Sequence, residues 1–250
     1  MRKKSRIAII STLLILTLST TYVFIYARYH GSNFQPAINR LYTRAALILA
    51  QKPQSTVLLK IDFDRQDHSL SCEVATLKMA LQYKGISVDE EVLMRLVGYD
   101  PAEKKYDQQK NLIWGDPHKA FVGDIDGKML EDGYGVYWEP IGKAAKKYRQ
   151  VKVFEDWDEK KLATEITNGN PVIIWGYLGS GKTTSWHTPE DKEIQAVYYE
   201  HTFLVRGFAG ESSNPEGFFL IDPIYGYIYY PIETFMKKWN AFGRSGVVVY

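Results

Sequence analysis

Three short apolar runs fix what the C-terminal half of this chain can become. Asn170–Trp175, His201–Gly207 and Gly217–Asp222 are each a strand's length and rich in β-branched or aromatic residues. The link from Phe208 to Glu216, rich in Gly, Ser, Asn and Pro, reads as a hairpin loop between the second and third runs. Two strands joined so closely run antiparallel. The other half follows a helical period. After a strand signal at Val57–Phe63 and a polar turn at Asp64–Ser71, a helix is predicted from Cys72. Val74, Leu77 and Leu81 form its apolar row, Met79 supports a second row, and Gly85 is its stop. Ser87-Val88-Asp89-Glu90 reads as a capping box opening a second helix that carries Leu93, Leu96 and Val97. Helices first and antiparallel strands later predict an α+β fold.

Composition narrows the function. Basic and acidic residues, 31 against 29, nearly cancel, so nothing favours nucleic acid as a partner. A single cysteine, Cys72, excludes an intramolecular disulfide and a zinc site built from several thiolates. At the N-terminus Arg2, Lys3, Lys4 and Arg6 precede an apolar stretch, Ile7–Ala27. At about 1.5 Å per residue this stretch covers the roughly 30 Å of a bilayer core. The stretch exceeds a usual signal-peptide apolar region and Ile25-Tyr26-Ala27 matches a cleavage site poorly. An uncleaved single-pass anchor is therefore expected, with the basic end in the cytoplasm and the body outside, or a secreted body if the segment is cleaved. The expected organisation is an anchor or signal segment at 1–28, a stalk at 29–56 and a folded domain at 57–250.

Cys72 falls at a predicted helix start, where the helix dipole and free N–H groups favour a thiolate. Gln66, six residues upstream, can donate from its side-chain amide to a developing oxyanion, with a backbone N–H at the helix start as second donor. If the hairpin is symmetric about Glu211 and Ser212, residue 203 pairs with 220, 205 with 218 and 201 with 222. His201 and Asp222 then sit side by side on one face, which Phe203, Val205, Phe218 and Leu220 extend into a core. A slip of one residue would separate them. A histidine oriented by a carboxylate suits a general base for a thiol. The plain alternatives are a buried apolar cysteine, a solvated glutamine and a structural His–Asp bond.

Several segments resemble one family. Gln66-x5-Cys72 followed by Glu73–Leu81, Trp114-Gly115-Asp116-Pro117 with Phe121-Val122-Gly123, and Gly135-Val136-Tyr137 with Pro140-Ile141 come in the order of its segments. So do Gly169-Asn170-Pro171-Val172, His201–Phe208 and Asp222–Gly226, with Phe235 and Trp239 fitting a closing helix. Over roughly Leu58 to Tyr250 the chain resembles papain-like cysteine peptidases related to the bacteriocin-processing, double-glycine leader peptidases, in their stand-alone bacterial form. The resemblance implies a papain-like fold, with a helical half carrying the nucleophile packed on an antiparallel sheet. It implies Cys72 as nucleophile, His201 as general base and acid, Asp222 as its orienter and Gln66 in the oxyanion hole. It also implies a peptide or protein substrate and no cofactor. Glu73 stands in the helix's first turn, where it suits the dipole but opposes a neighbouring thiolate.

Other motifs weigh less. Gly176–Thr183 satisfies the phosphate-binding G-x4-G-K-T pattern, but Thr184–Pro189 lacks the helical period such a site needs, so a loop between strands is expected. Asp124-Ile125-Asp126-Gly127 has calcium-like spacing without the later ligands, and His30, His68, His118 and His187 lack metal spacing. Trp114, Trp138, Trp175 and Trp186 suit a substrate cleft or a core equally. The competing expectation is a cell-surface binding protein that keeps the fold without turnover.

Overall fold

The computed structural model describes residues 55–250, so the expected anchor and nearly all of the expected stalk lie outside the described residues. Among the described residues no helix is long and apolar enough to cross a membrane. In chain order the elements are β1 (Val57–Leu58), α1 (Cys72–Tyr83), α2 (Glu90–Val97), β2 (Lys105–Tyr106), β3 (Leu112–Ile113), β4 (Val122–Gly123) and β5 (Gly133–Gly135). They continue with α3 (Trp138–Ala145), β6 (Val151–Phe154), α4 (Glu159–Thr167), β7 (Val172–Tyr177), β8 (Thr183–His187) and β9 (Glu193–Val197). Last come β10 (Glu200–Glu211), β11 (Asn214–Asp222), β12 (Gly226–Pro231), α5 (Ile232–Asn240) and β13 (Gly246–Val249).

The main sheet has the order β12-β11-β10-β7-β13-β6 with antiparallel pairing throughout, and β1 extends the β7 side of β10. Helices cover both of its faces, which is why all six residues of β7 are buried. On one face Thr76 of α1 meets Thr202 of β10, their hydroxyls 3.2 Å apart. On the other, Gly176 separates the Phe203 ring from Lys238 of α5, and a Cβ there would stand 3.1 Å and 3.5 Å from them. Phe218 packs on Phe235 of α5 with ring centroids 4.4 Å apart. α1 runs through the middle of the domain, with Val74, Leu77, Met79 and Leu81 fully buried. It ends as predicted at Gly85, whose φ of +81° is the left-handed turn that glycine adopts freely.

Three local expectations change. The strand expected over Val57–Phe63 pairs only at Val57 and Leu58, with Leu59 N–H adding a bond to the Arg206 carbonyl at 2.7 Å. The segment from Phe208 to Glu216 is strand rather than loop except for the Ser212–Ser213 turn. Two irregularities, between Val205 and Gly207 and between Ala209 and Gly210, absorb the extra residues, so a polar, Gly-containing sequence stays in the ladder. The second helix starts at Glu90 behind Asp89, which makes no side-chain cap bond, so Ser87 does not open it. The G-x4-G-K-T segment runs from β7 into β8, a strand, and Lys182 lies over the Tyr198 ring.

Candidate active site

The turn before α1 is held from several sides. Gln66 N–H donates to the Pro223 carbonyl at 3.1 Å, tying the turn to the loop after Asp222. The Gln66 side-chain amide donates to the carbonyls of His68 at 2.7 Å and Ser69 at 3.0 Å. Both of its N–H groups are thus occupied, and donation to an oxyanion requires releasing one of them. Leu70 N–H donates to the Ile125 carbonyl at 2.8 Å. Glu90 completes the clamp. Its carboxylate accepts from Ser71 Oγ at 2.8 Å and from Asp67 N–H at 3.2 Å, and it is only 1% exposed. In the sequence Glu90 looks like half of a capping box, which does not reveal this role. An acid placed between polar turn residues and an apolar helix face was the available signal. Glu90→Ala is expected to cost about 1–3 kcal/mol in urea unfolding, because it removes the charged acceptor of the Ser71 hydroxyl and of the Asp67 N–H. Glu90→Gln should recover part of that, and an unchanged Glu90→Ala midpoint would contradict the clamp.

His201 and Asp222 come together. His201 Nε2 lies 3.1 Å from Asp222 Oδ1, and both side chains are buried. The register differs from the one expected: Leu204 faces Ile221 and Val205 faces Leu220. The turn centres on Ser212–Ser213, one residue later than assumed, which slides the register by two. A two-residue slide leaves every side chain on its original face, so the His–Asp pairing survives as a diagonal contact. Asp222 Oδ1 also accepts from Ile224 N–H at 2.7 Å and Tyr225 N–H at 3.0 Å. A carboxylate only accepts, so Nε2 carries the imidazole proton and Nδ1 is the basic nitrogen. Phe203 packs edge-on against the imidazole, centroids 5.0 Å apart. Behind it, burial draws the Lys238 ammonium down to about 8 while Asp222 pulls it back up.

Cys72, His201 and Gln66 line one cavity of about 120 Å³, together with Glu200, Tyr134 and Leu178. Cys72 is the first residue of α1 and is 4% exposed. Its thiol donates to Glu73 Oε2 at 3.3 Å rather than to the imidazole. The dipole does not win here. Burial pushes the thiol well above its ordinary range, Glu73 and Glu200 push the same way, and hydrogen bonds with Thr202 pull it back. A helix end supplies about 0.3–1 kcal/mol, whereas desolvation moves a buried group by up to about 3–5 pK units. The resting thiol is therefore neutral, against the expectation of a thiolate. The opposition expected from Glu73 is present, and Glu200, which sequence reading passed over, adds to it.

Glu73 and Glu200 are themselves buried. Burial lifts the Glu73 carboxyl to about 7 against the pull of Val136 N–H, which donates to its Oε1 at 2.7 Å. Burial, then the nearby Glu73, raises Glu200 well above the carboxylate range. Three of the four tryptophans are sealed in the core, at 1% exposure or less for Trp114, Trp175 and Trp186, and Trp138 packs edge-on against Trp175. None of the four lines the Cys72 cavity. Among the described residues, Cys72, Glu73 and Glu200 place potential metal-ligand atoms within 4.8 Å of one another.

Known proteins resemble this chain in sequence and in fold. Over 186 residues the chain is 31% identical to "Uncharacterized protein YvpB" of Bacillus subtilis strain 168, covering 71% of this chain and 68% of that one. A crystal structure from Bacillus anthracis, described as a candidate C39-like peptidase, superposes with a TM-score of 0.65 at 26% identity. The superposition covers 79% of this chain and 98% of that one. The papain-like fold expected from the sequence is the fold found. A family model matches residues 58–247, and on that match the chain belongs to the Peptidase_C39 like family.

Proposed function

We propose that this protein is a cysteine peptidase that hydrolyses a peptide or amide bond with Cys72 as nucleophile, His201 as base and Asp222 as orienter. The observation that carries this reading is the His201 Nε2–Asp222 Oδ1 contact at 3.1 Å, with His201 and Cys72 on the wall of one cavity. The bond to Asp222 leaves Nδ1 to take the Sγ proton. The thiolate then attacks the carbonyl, the imidazolium returns its proton to the leaving amine, and water attacks the thioester to regenerate the thiol. Backbone N–H groups at the start of α1 and the Gln66 amide, once it turns from the His68 or Ser69 carbonyl, hold the oxyanion. The substrate is a peptide or protein. The Ile7–Ala27 segment, with its flanking basic residues, supports a body anchored at the outer face of a bacterial membrane. Protease added to intact cells should then digest the 57–250 domain.

A second reading, a cell-surface binding protein without turnover, draws on the thiol's bond to Glu73. Alkylation separates the two. In the peptidase, Cys72 should react with iodoacetamide at neutral pH at least about tenfold faster than in His201→Ala, because the base supplies thiolate on demand. Equal rates would sink the catalytic reading.

A further inference from the structure

Hydrolysis leaves two acids of this site without a task. Glu73 and Glu200 are 1% and 3% exposed, and neither Glu200 oxygen has a hydrogen-bond partner among the described residues. A buried carboxylate is costly unless it is protonated, paired or bound to a metal. The backbone is shaped around the two acids. Gly135 has a φ of +140°, and a Cβ there would stand 2.5 Å from Glu73 Oε1 and 2.9 Å from Glu200 Oε2. The cradle that holds both carboxylates therefore needs glycine. Val136 N–H fixes Glu73 from behind at 2.7 Å, the supporting bond that metal-binding carboxylates usually have.

We propose that Cys72 Sγ, Glu73 and Glu200 bind one Zn²⁺ ion, with a fourth position open to the cavity, and that the bound ion blocks the thiol. The three donor atoms already lie within 4.8 Å of one another. Donors on a single zinc ion at about 2.0–2.3 Å sit about 3.3–3.6 Å apart, so small side-chain rotations close the set. One soft sulfur with two hard oxygens suits a borderline ion; Mg²⁺ and Ca²⁺ take oxygen donors. On binding, the thiol proton and any carboxyl proton leave to water, the Sγ–Zn bond forms, and nothing is oxidised or reduced. The site shares Cys72 with the proposed triad, but binding does not depend on turnover.

The test uses the full chain, freed of metal with a chelator and dialysed, with Co²⁺ as a spectroscopic stand-in. A thiolate-to-cobalt charge-transfer band should grow to one equivalent per chain, vanish in Cys72→Ser and be displaced by Zn²⁺. Glu200→Gln should weaken binding at least tenfold while its near-ultraviolet circular dichroism matches wild type. Zn²⁺ should also slow iodoacetamide labelling of Cys72 in wild type. Absence of the thiolate band, or equal affinity in folded Glu200→Gln, would overturn the site. A band in the loaded chain, with no peptide hydrolysis by the metal-free chain, would leave the zinc site standing and count against the peptidase reading alone.

Discussion

Cys72→Ala is expected to cleave peptides at less than about 10⁻⁴ of the wild-type rate, because no other side chain supplies the covalent step. The chain has no second cysteine to take over. The variant should fold: Cys72 is the first residue of α1, and alanine suits a helix and fits the same buried space. Asp222→Ala should lose less, about 10²–10³-fold, since it removes the imidazole's orienter but leaves thiol and base in place. Initial rates on a pool of proteome-derived peptides, followed by mass spectrometry, check both. Cleavage persisting in Cys72→Ala would remove the thiol from the mechanism.

The second large effect is on stability and comes from the buried acids. Glu73 has a folded pKa of about 7 against 4.5 for the free group. A pKa raised by folding makes the folded state bind the proton more tightly, so its contribution is complete below about 4.5 and is lost as pH rises through 7. The loss amounts to an order of 3 kcal/mol for that shift, and Glu200, raised in the same direction, adds to it. In chelator-treated protein, urea unfolding should show stability falling between pH 5 and pH 8. Glu200→Gln should flatten that fall, since it removes the raised Glu200 carboxyl's own share of it. Parallel wild-type and variant curves would mean that Glu200 contributes nothing to the pH dependence.

Both effects bear on how much of the molecule can be read from its residues. The helix Cys72–Tyr83 and its stop at Gly85 are legible because apolar spacing and a left-handed glycine are local signals. The His201–Asp222 contact was legible despite a wrong register, because face is conserved under a two-residue slide. The hairpin's true turn was not, since two irregularities and Gly210 hold a loop-like sequence in the ladder. Burial was the hardest to see. A helix start promises a thiolate, but the carboxylates that oppose it come from Glu73 next door and from Glu200 on a distant strand. Glu90 was hidden for a similar reason: its partners Ser71 and Asp67 lie in a different element, so spacing within α2 does not show them.

The thioester itself is the most direct test of the account. Wild-type chain mixed with the peptide pool and quenched in acid within the first turnover should carry a mass increment equal to the acyl half of a cleaved peptide, mapped to Cys72. His201→Ala should accumulate far less of it and Cys72→Ala none. Products appearing while the chain's mass stays unchanged, or an adduct mapped to another residue, would contradict a Cys72-centred peptidase.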